Sequence, residues 1–164
     1  DVLYVQVGGG ALLSAVWQGL RDARALGRIS RLPRLVSVQT EGAWPLRRAW
    51  LRLGLHGSID LADAARHRSR YMWPWEEPPH SIAHGILDDE TYDWWACCQA
   101  MAETGGDALV VDEDTLRRAH TVARDATGLA VSHTGSAGLA GWLAAPPSEG
   151  ETAGVLLTGV DRGA

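Results

Sequence analysis

The sequence predicts an α/β domain of three layers, a mainly parallel sheet with helices on both faces. Three observations predict it. Short apolar runs rich in valine alternate along the chain with longer stretches of helical spacing, and that rhythm builds parallel sheets covered on both sides. Glycines, hydroxyl residues and aspartates stand where one pattern gives way to the next. The 164 residues, 46% of them hydrophobic and 21% charged, suffice for one such core and not for two domains.

Each element follows in order. Residues 2–7 read as a buried strand and Gly8, Gly9 and Gly10 as a turn. Residues 11–26 read as a helix with Leu12, Val16, Leu20 and Ala23 on one face and Gly27 as its stop. Residues 35–39 form a second strand, and residues 43–53 a helix with Pro45 in its first turn. Periodicity breaks down from Gly54 to Pro79, a long loop holding a short helix near 61–66 and the aromatics Tyr71, Trp73 and Trp75. A helix over 91–103 closes on Gly105 and Gly106. Strand 108–111 leads into helix 115–127, capped by Asp112 or Asp114. Strand 129–131, a turn at Thr134 to Ser136 that caps the next helix, helix 137–145 and strand 155–158 complete the reading.

Composition removes several functions. A net charge of −5 argues against a nucleic-acid groove, which needs clustered positive charge. The arginines at 66, 68, 70, 117 and 118 read as solvated surface. No apolar run reaches the ~18 residues of a membrane span, and the expected location is cytoplasmic. All 15 basic residues are arginine, so no side-chain amine exists for Schiff-base chemistry. Cys97 and Cys98 adjoin in a helix, point about 100° apart and read as buried apolar residues. The chain opens on Asp1 and enters a core strand at once, so it is expected to begin partway through a longer protein. The histidines lack metal-site spacing and partners. His56, His67, His80 and His120 read as surface or loop, His133 as packing, and His84 as a candidate site residue. The eight tryptophans fit helix faces and the long loop.

Two segments carry candidate chemistry. Strand, then Gly8-Gly9-Gly10, then a helix lets backbone N–H groups converge beside a helix N-terminus, a place for an anion such as a phosphate monoester. No Gly-Lys-Ser/Thr follows, and a dinucleotide fingerprint counted from Gly8 would need glycine at Leu13. Around Ser132, His133 and Thr134, hydroxyls and small residues stand where a strand gives way to a helix, the end at which open α/β sheets place ligands.

The glycine turn, LPRLVSVQTEG at 32–42, SIAHG at 81–85, GGDALVV at 105–111 and TGSAGLAG at 134–141 occur in an order that resembles the C-terminal half of pyridoxal-phosphate enzymes of the tryptophan-synthase-β class. Within that class the chain is similar to threonine synthase and its relatives, over nearly its whole length. The resemblance implies that residues 1–164 are part of one domain whose N-terminal half holds the cofactor-attaching lysine, so that this chain alone is inactive. It implies pyridoxal 5'-phosphate bound by Gly8, Gly9, Gly10, Ala11 and Leu12 at the phosphate, with Ala83 and Gly85 near the ring and Thr134 at the ring nitrogen. Many members have a fourth glycine where this chain has Ala11. Glu41 borders the site in relatives and also reads as a turn carboxylate. The implied activity is β- or γ-elimination or replacement on a small amino-acid substrate, in a protein that is a homo-oligomer, a dimer, when intact. Threonine or serine dehydratase and diaminopropionate ammonia-lyase remain open within the class. Outside it stands a non-catalytic domain that binds a phosphorylated ligand or a partner.

Overall fold

The computed structural model describes residues 1–54 and 61–161. Four strands, β1 (Val2–Gln6), β2 (Arg34–Thr40), β3 (Asp107–Val111) and β4 (Ala153–Val155), form one sheet in the order β3-β2-β1-β4. Every neighbouring pair is parallel. The helices are α1 (Ala11–Ala25), α2 (Pro45–Gly54), α3 (Leu61–Arg66), α4 (Trp94–Thr104), α5 (Glu113–Thr127) and α6 (His133–Ala144).

The strand alternation divides the core in two. Val5, Val7 and Leu35 face one way, into a cluster with Leu13 and Trp17 of α1, Leu46 of α2, and Cys97 and Met101 of α4. Val2, Tyr4, Val36 and Val38 face the other, against Leu116 and Ala119 of α5 and Ala137 and Ala140 of α6. The sheet is therefore the middle of three layers. Cys97 and Cys98 are free and fully buried, as their apolar reading expects. Helix α6 lies close to the sheet because it is small on that face. A Cβ on Gly138 would come 2.9 Å from the Tyr4 carbonyl oxygen, and one on Gly141 would collide with Val38.

Four expectations need correction. Residues 129–131 are no strand: Val131 makes one isolated antiparallel bridge to Val160, and α5 passes to α6 without returning to the sheet. The last strand ends at Val155, short of the expected 155–158. There the Gln6 side chain, at the end of β1, donates to the Leu156 carbonyl at 3.2 Å and replaces further ladder pairing. Helix α6 begins at His133, so residues 134–136 are its first turn. Its cap is Ser132, whose side chain accepts from Gly135 N at 3.1 Å. Thr134 and Ser136 are engaged elsewhere: Thr134 accepts from Gly85 N, and Ser136 donates back to the Ser132 carbonyl. Helix α4 likewise begins at Trp94, leaving Thr91 to Asp93 as its lead-in. At α5, Asp112 is the cap, accepting from Thr115 N at 2.6 Å. That bond holds its carboxyl below the usual range.

Among the described residues no helix is long and apolar enough to cross a membrane.

Candidate functional site

A cleft of about 240 Å³ opens at the carboxyl ends of β1 and β4, where parallel sheets place ligands. Its lining includes Gly8, Gly9, Gly10, Ala11 and Leu12 of the turn, together with Gly85, Ile86, Thr134, Thr158 and Gln6, and Ile86 adjoins Gly8.

The first wall is backbone. Gly10 has φ 97° and caps α1, a left-handed conformation open to glycine at little cost. The first helical bond runs from Ser14 N to the Gly10 carbonyl at 3.0 Å. Among the described residues, the N–H groups of Gly8, Gly9, Gly10, Ala11 and Leu12 donate to no acceptor. The carbonyls are engaged from behind the turn: Gly8 O accepts from the Thr91 hydroxyl at 2.9 Å, Gly9 O from Asp93 N at 2.8 Å and Gly10 O from the Cys97 thiol at 3.5 Å. The turn thus offers unpaired donors at a helix N-terminus, which suits an anion. Side chains are excluded at Gly8: a Cβ there would lie 2.9 Å from the Ile86 Cα and would strike the Asp88 carboxylate.

The other wall is made of hydroxyls. Thr134 Oγ1 accepts from Gly85 N at 2.9 Å, and Thr158 Oγ1 accepts from Gln6 Nε2 at 2.6 Å. The Gln6 amide is fixed in this sense because Nε2 also faces the Leu156 carbonyl. Each threonine, having accepted, keeps its own proton to donate. Gly85 permits the arrangement, since a Cβ there would come 2.9 Å from Thr134 Cγ2.

Of the residues singled out from sequence, Gly8, Gly9, Gly10, Ala11, Leu12, Gly85 and Thr134 line the cleft. Ala83 does not. It is fully buried beneath the wall, and its carbonyl accepts from Ile86 N at 3.2 Å. His84 is exposed beside it, and Glu41 is exposed with its N–H bonded to the Val111 carbonyl. His56 lies outside the described residues. His120 belongs to α5, is half-buried and stacks on His133, with ring centroids 3.9 Å apart, so it packs within a helix and is no loop residue. Burial, followed by His120 and Arg117, holds the His133 imidazole below its ordinary value; Asp161 and Glu113 oppose them. Sequence reading missed Gln6, Ile86 and Thr158. For Gln6 and Thr158, a position at or just past the carboxyl ends of adjacent parallel strands is the signal that could have found both. No group of His, Cys, Asp and Glu among the described residues could hold a metal.

The family described as pyridoxal-phosphate dependent enzyme matches residues 1–159. Among curated proteins, the threonine synthase of Mycobacterium tuberculosis is 29% identical over 146 residues, covering 88% of this chain and 34% of its own length. The threonine synthase of Mycobacterium leprae is 30% identical over 140 residues, covering 85% of this chain and 32% of its own. The chain thus spans about a third of the length of these relatives. Among solved structures, a threonine deaminase from T.th. superposes with TM-score 0.70 at 22% identity, over 99% of this chain and 49% of that one. Maize serine racemase gives 0.62 at 21% identity, over 98% and 42%. These structures share the fold.

Proposed function

The chain belongs to the pyridoxal-phosphate-dependent enzyme family, and from that premise we propose that its cleft receives the cofactor of a lyase or synthase acting on amino acids, threonine-synthase-like in its chemistry. One observation carries the reading: the glycine turn, its N–H groups unpaired among the described residues, and two threonines share the lining of one cleft.

The residues fit the cofactor at both ends. Gly8, Gly9, Gly10, Ala11 and Leu12 would hold the phosphate through backbone N–H groups, the dipole of α1 adding to the attraction. Thr134 and Thr158 would meet the ring nitrogen, each with a hydroxyl proton to donate. A neutral hydroxyl leaves a ring nitrogen unprotonated, which suits β- and γ-elimination or replacement. When bound, pyridoxal phosphate supplies the electron sink for carbanion chemistry at an amino acid. Gly85 and Ile86 of the cleft lining would lie near the ring, and Ala83, buried with its carbonyl bonded to Ile86 N, would support them. The amine that attaches the cofactor aldehyde must come from outside residues 1–164, which contain no lysine.

The test is made on the protein at its native length. One pyridoxal phosphate per chain is expected to be retained on dialysis, together with replacement or elimination on a small amino acid bearing a β- or γ-leaving group. Ammonia release from serine, threonine or diaminopropionate, without replacement, assigns the protein to the dehydratase or ammonia-lyase branch. Binding of a phosphorylated ligand but no pyridoxal phosphate means a non-catalytic module and ends the reading.

A further inference from the structure

The three carbonyls of the glycine turn all meet one short segment, the lead-in and first turn of α4, and Gly10 O is also held by Ser14 N of α1. The peptide unit is planar, so fixing a C=O fixes the following N–H in the opposite direction. Thr91 on Gly8 O therefore aims the N–H of Gly9. Asp93 N on Gly9 O aims that of Gly10, and on Gly10 O the helical bond from Ser14 N at 3.0 Å, seconded by the Cys97 thiol, aims that of Ala11. A carbonyl turned into the cleft would instead set a partial negative charge against an anion.

Thr91 is the stronger of the two anchors that belong to side chains, and its direction is fixed. It is fully buried. The buried Gln39 accepts from Arg47 N at 3.0 Å, so its Nε2 faces Val7 O at 3.4 Å and Thr91 Oγ1 at 3.5 Å. Thr91, already an acceptor, has its proton free for Gly8 O. The chain of donors runs from Arg47 N–H through Gln39 and Thr91 to the turn. Cys97 is the weaker anchor, a thiol at 3.5 Å. Burial, then Asp93, pushes its pKa up to about 12, so it stays a donor at neutral pH.

We propose that Thr91 is a positioning residue for phosphate recognition: its hydroxyl, aligned by Gln39, turns the Gly8 carbonyl out of the cleft, while Asp93 N–H and the Cys97 thiol do the same for Gly9 and Gly10. The inference rests on the cofactor reading above. It adds that the selectivity of the turn for an anion is set by residues that never touch the ligand.

The test compares pyridoxal phosphate with pyridoxal, which lacks the phosphate, for binding to cofactor-stripped protein of native length. Thr91→Val keeps the shape and removes the donor; Thr91→Ser restores it. Thr91→Val is expected to lose about tenfold in affinity for pyridoxal phosphate, the scale of one hydrogen bond to a charged group. Its affinity for pyridoxal stays within about twofold, and Thr91→Ser recovers the parent values, in keeping with a local change of this size. Cys97→Ala, a second variant that removes only the weak thiol donor, shifts the same ratio in the same direction and by less. Equal losses for both ligands would make Thr91 merely structural, and no loss for either would remove it from the site; both results overturn the proposal. If the parent protein itself binds the two ligands equally, the turn is not the phosphate site, and the failure lies with the cofactor reading.

Discussion

The two walls of the cleft are built by different means. The glycine turn presents backbone N–H groups, and its carbonyls are tied down behind it by Thr91, Asp93 and Cys97. The other wall presents two side-chain hydroxyls, each oriented by a single donor, Gly85 N or Gln6 Nε2. Rigid peptide dipoles suit a fixed charge, because they need no reorganisation to meet it. Rotatable hydroxyls suit a neutral ring atom that needs one proton offered to it. The contrast implies that damage to the turn should be felt by phosphate-bearing ligands alone, whereas damage to the wall should be felt by any ligand with the ring.

The sharpest break in that comparison is Gly9→Asp. A side chain fits there once Tyr92 gives way slightly: its Cδ2, 3.1 Å from a Cβ at this position, belongs to a residue 65% exposed and able to move. The new carboxylate joins Asp88, 3.6 Å from that Cβ position. Affinity for pyridoxal phosphate is expected to fall about a hundredfold from like-charge repulsion, with pyridoxal binding within about threefold of the parent. Equilibrium dialysis with each ligand reads the difference.

A smaller and more even effect is expected at the other wall. Thr134→Val combined with Thr158→Val removes both protons, and affinity should fall about tenfold for pyridoxal and pyridoxal phosphate alike. The single variants, measured the same way, identify which hydroxyl serves the ring nitrogen.

Acid should loosen the wall before the turn. His133 opens α6, where the helix dipole disfavours a cation, and it stacks on His120. Its folded pKa lies below the ordinary value, first through burial and then through His120 and Arg117. The unfolded chain therefore binds the proton more readily, and stability contributed by the neutral ring is lost as pH falls below about 6.5. Thermal unfolding across that range should show the loss in the parent protein and a flatter profile in His133→Gln.

Smallest of all is a change remote from both walls. Gly128 caps α5 at φ 70° with open space around it. Gly128→Ala should cost about 1 kcal/mol of stability in denaturant unfolding and leave both ligand affinities unchanged.

The sequence made one wall far more legible than the other. A valine-rich strand, three glycines and a helix announce the turn because such a junction has few uses, and the alternation of elements announces the parallel sheet. Thr134 was legible through the small-residue stretch around it. Thr158 and Gln6 were not, because a lone hydroxyl and a lone amide gain meaning only when β4 and β1 are laid side by side. Ala83 was legible as part of a motif, and the fold puts it under the wall. The anchoring of the glycine carbonyls was hidden for the same reason: Thr91 and Gly8 are 83 residues apart. The missed boundary at residues 129–131 has a plainer cause, since three apolar residues between two helices satisfy a strand pattern without reaching the sheet.

Phosphate binding by the backbone of the glycine turn is what the rest depends on, and a crystal structure of the native-length protein with pyridoxal phosphate decides it. The phosphate oxygens should accept from N–H groups of Gly8 to Leu12, with the glycine carbonyls still bonded to Thr91, Asp93 and Cys97 and the ring nitrogen toward Thr134 and Thr158. A phosphate seated elsewhere, or a turn that flips its carbonyls toward the ligand, would refute it.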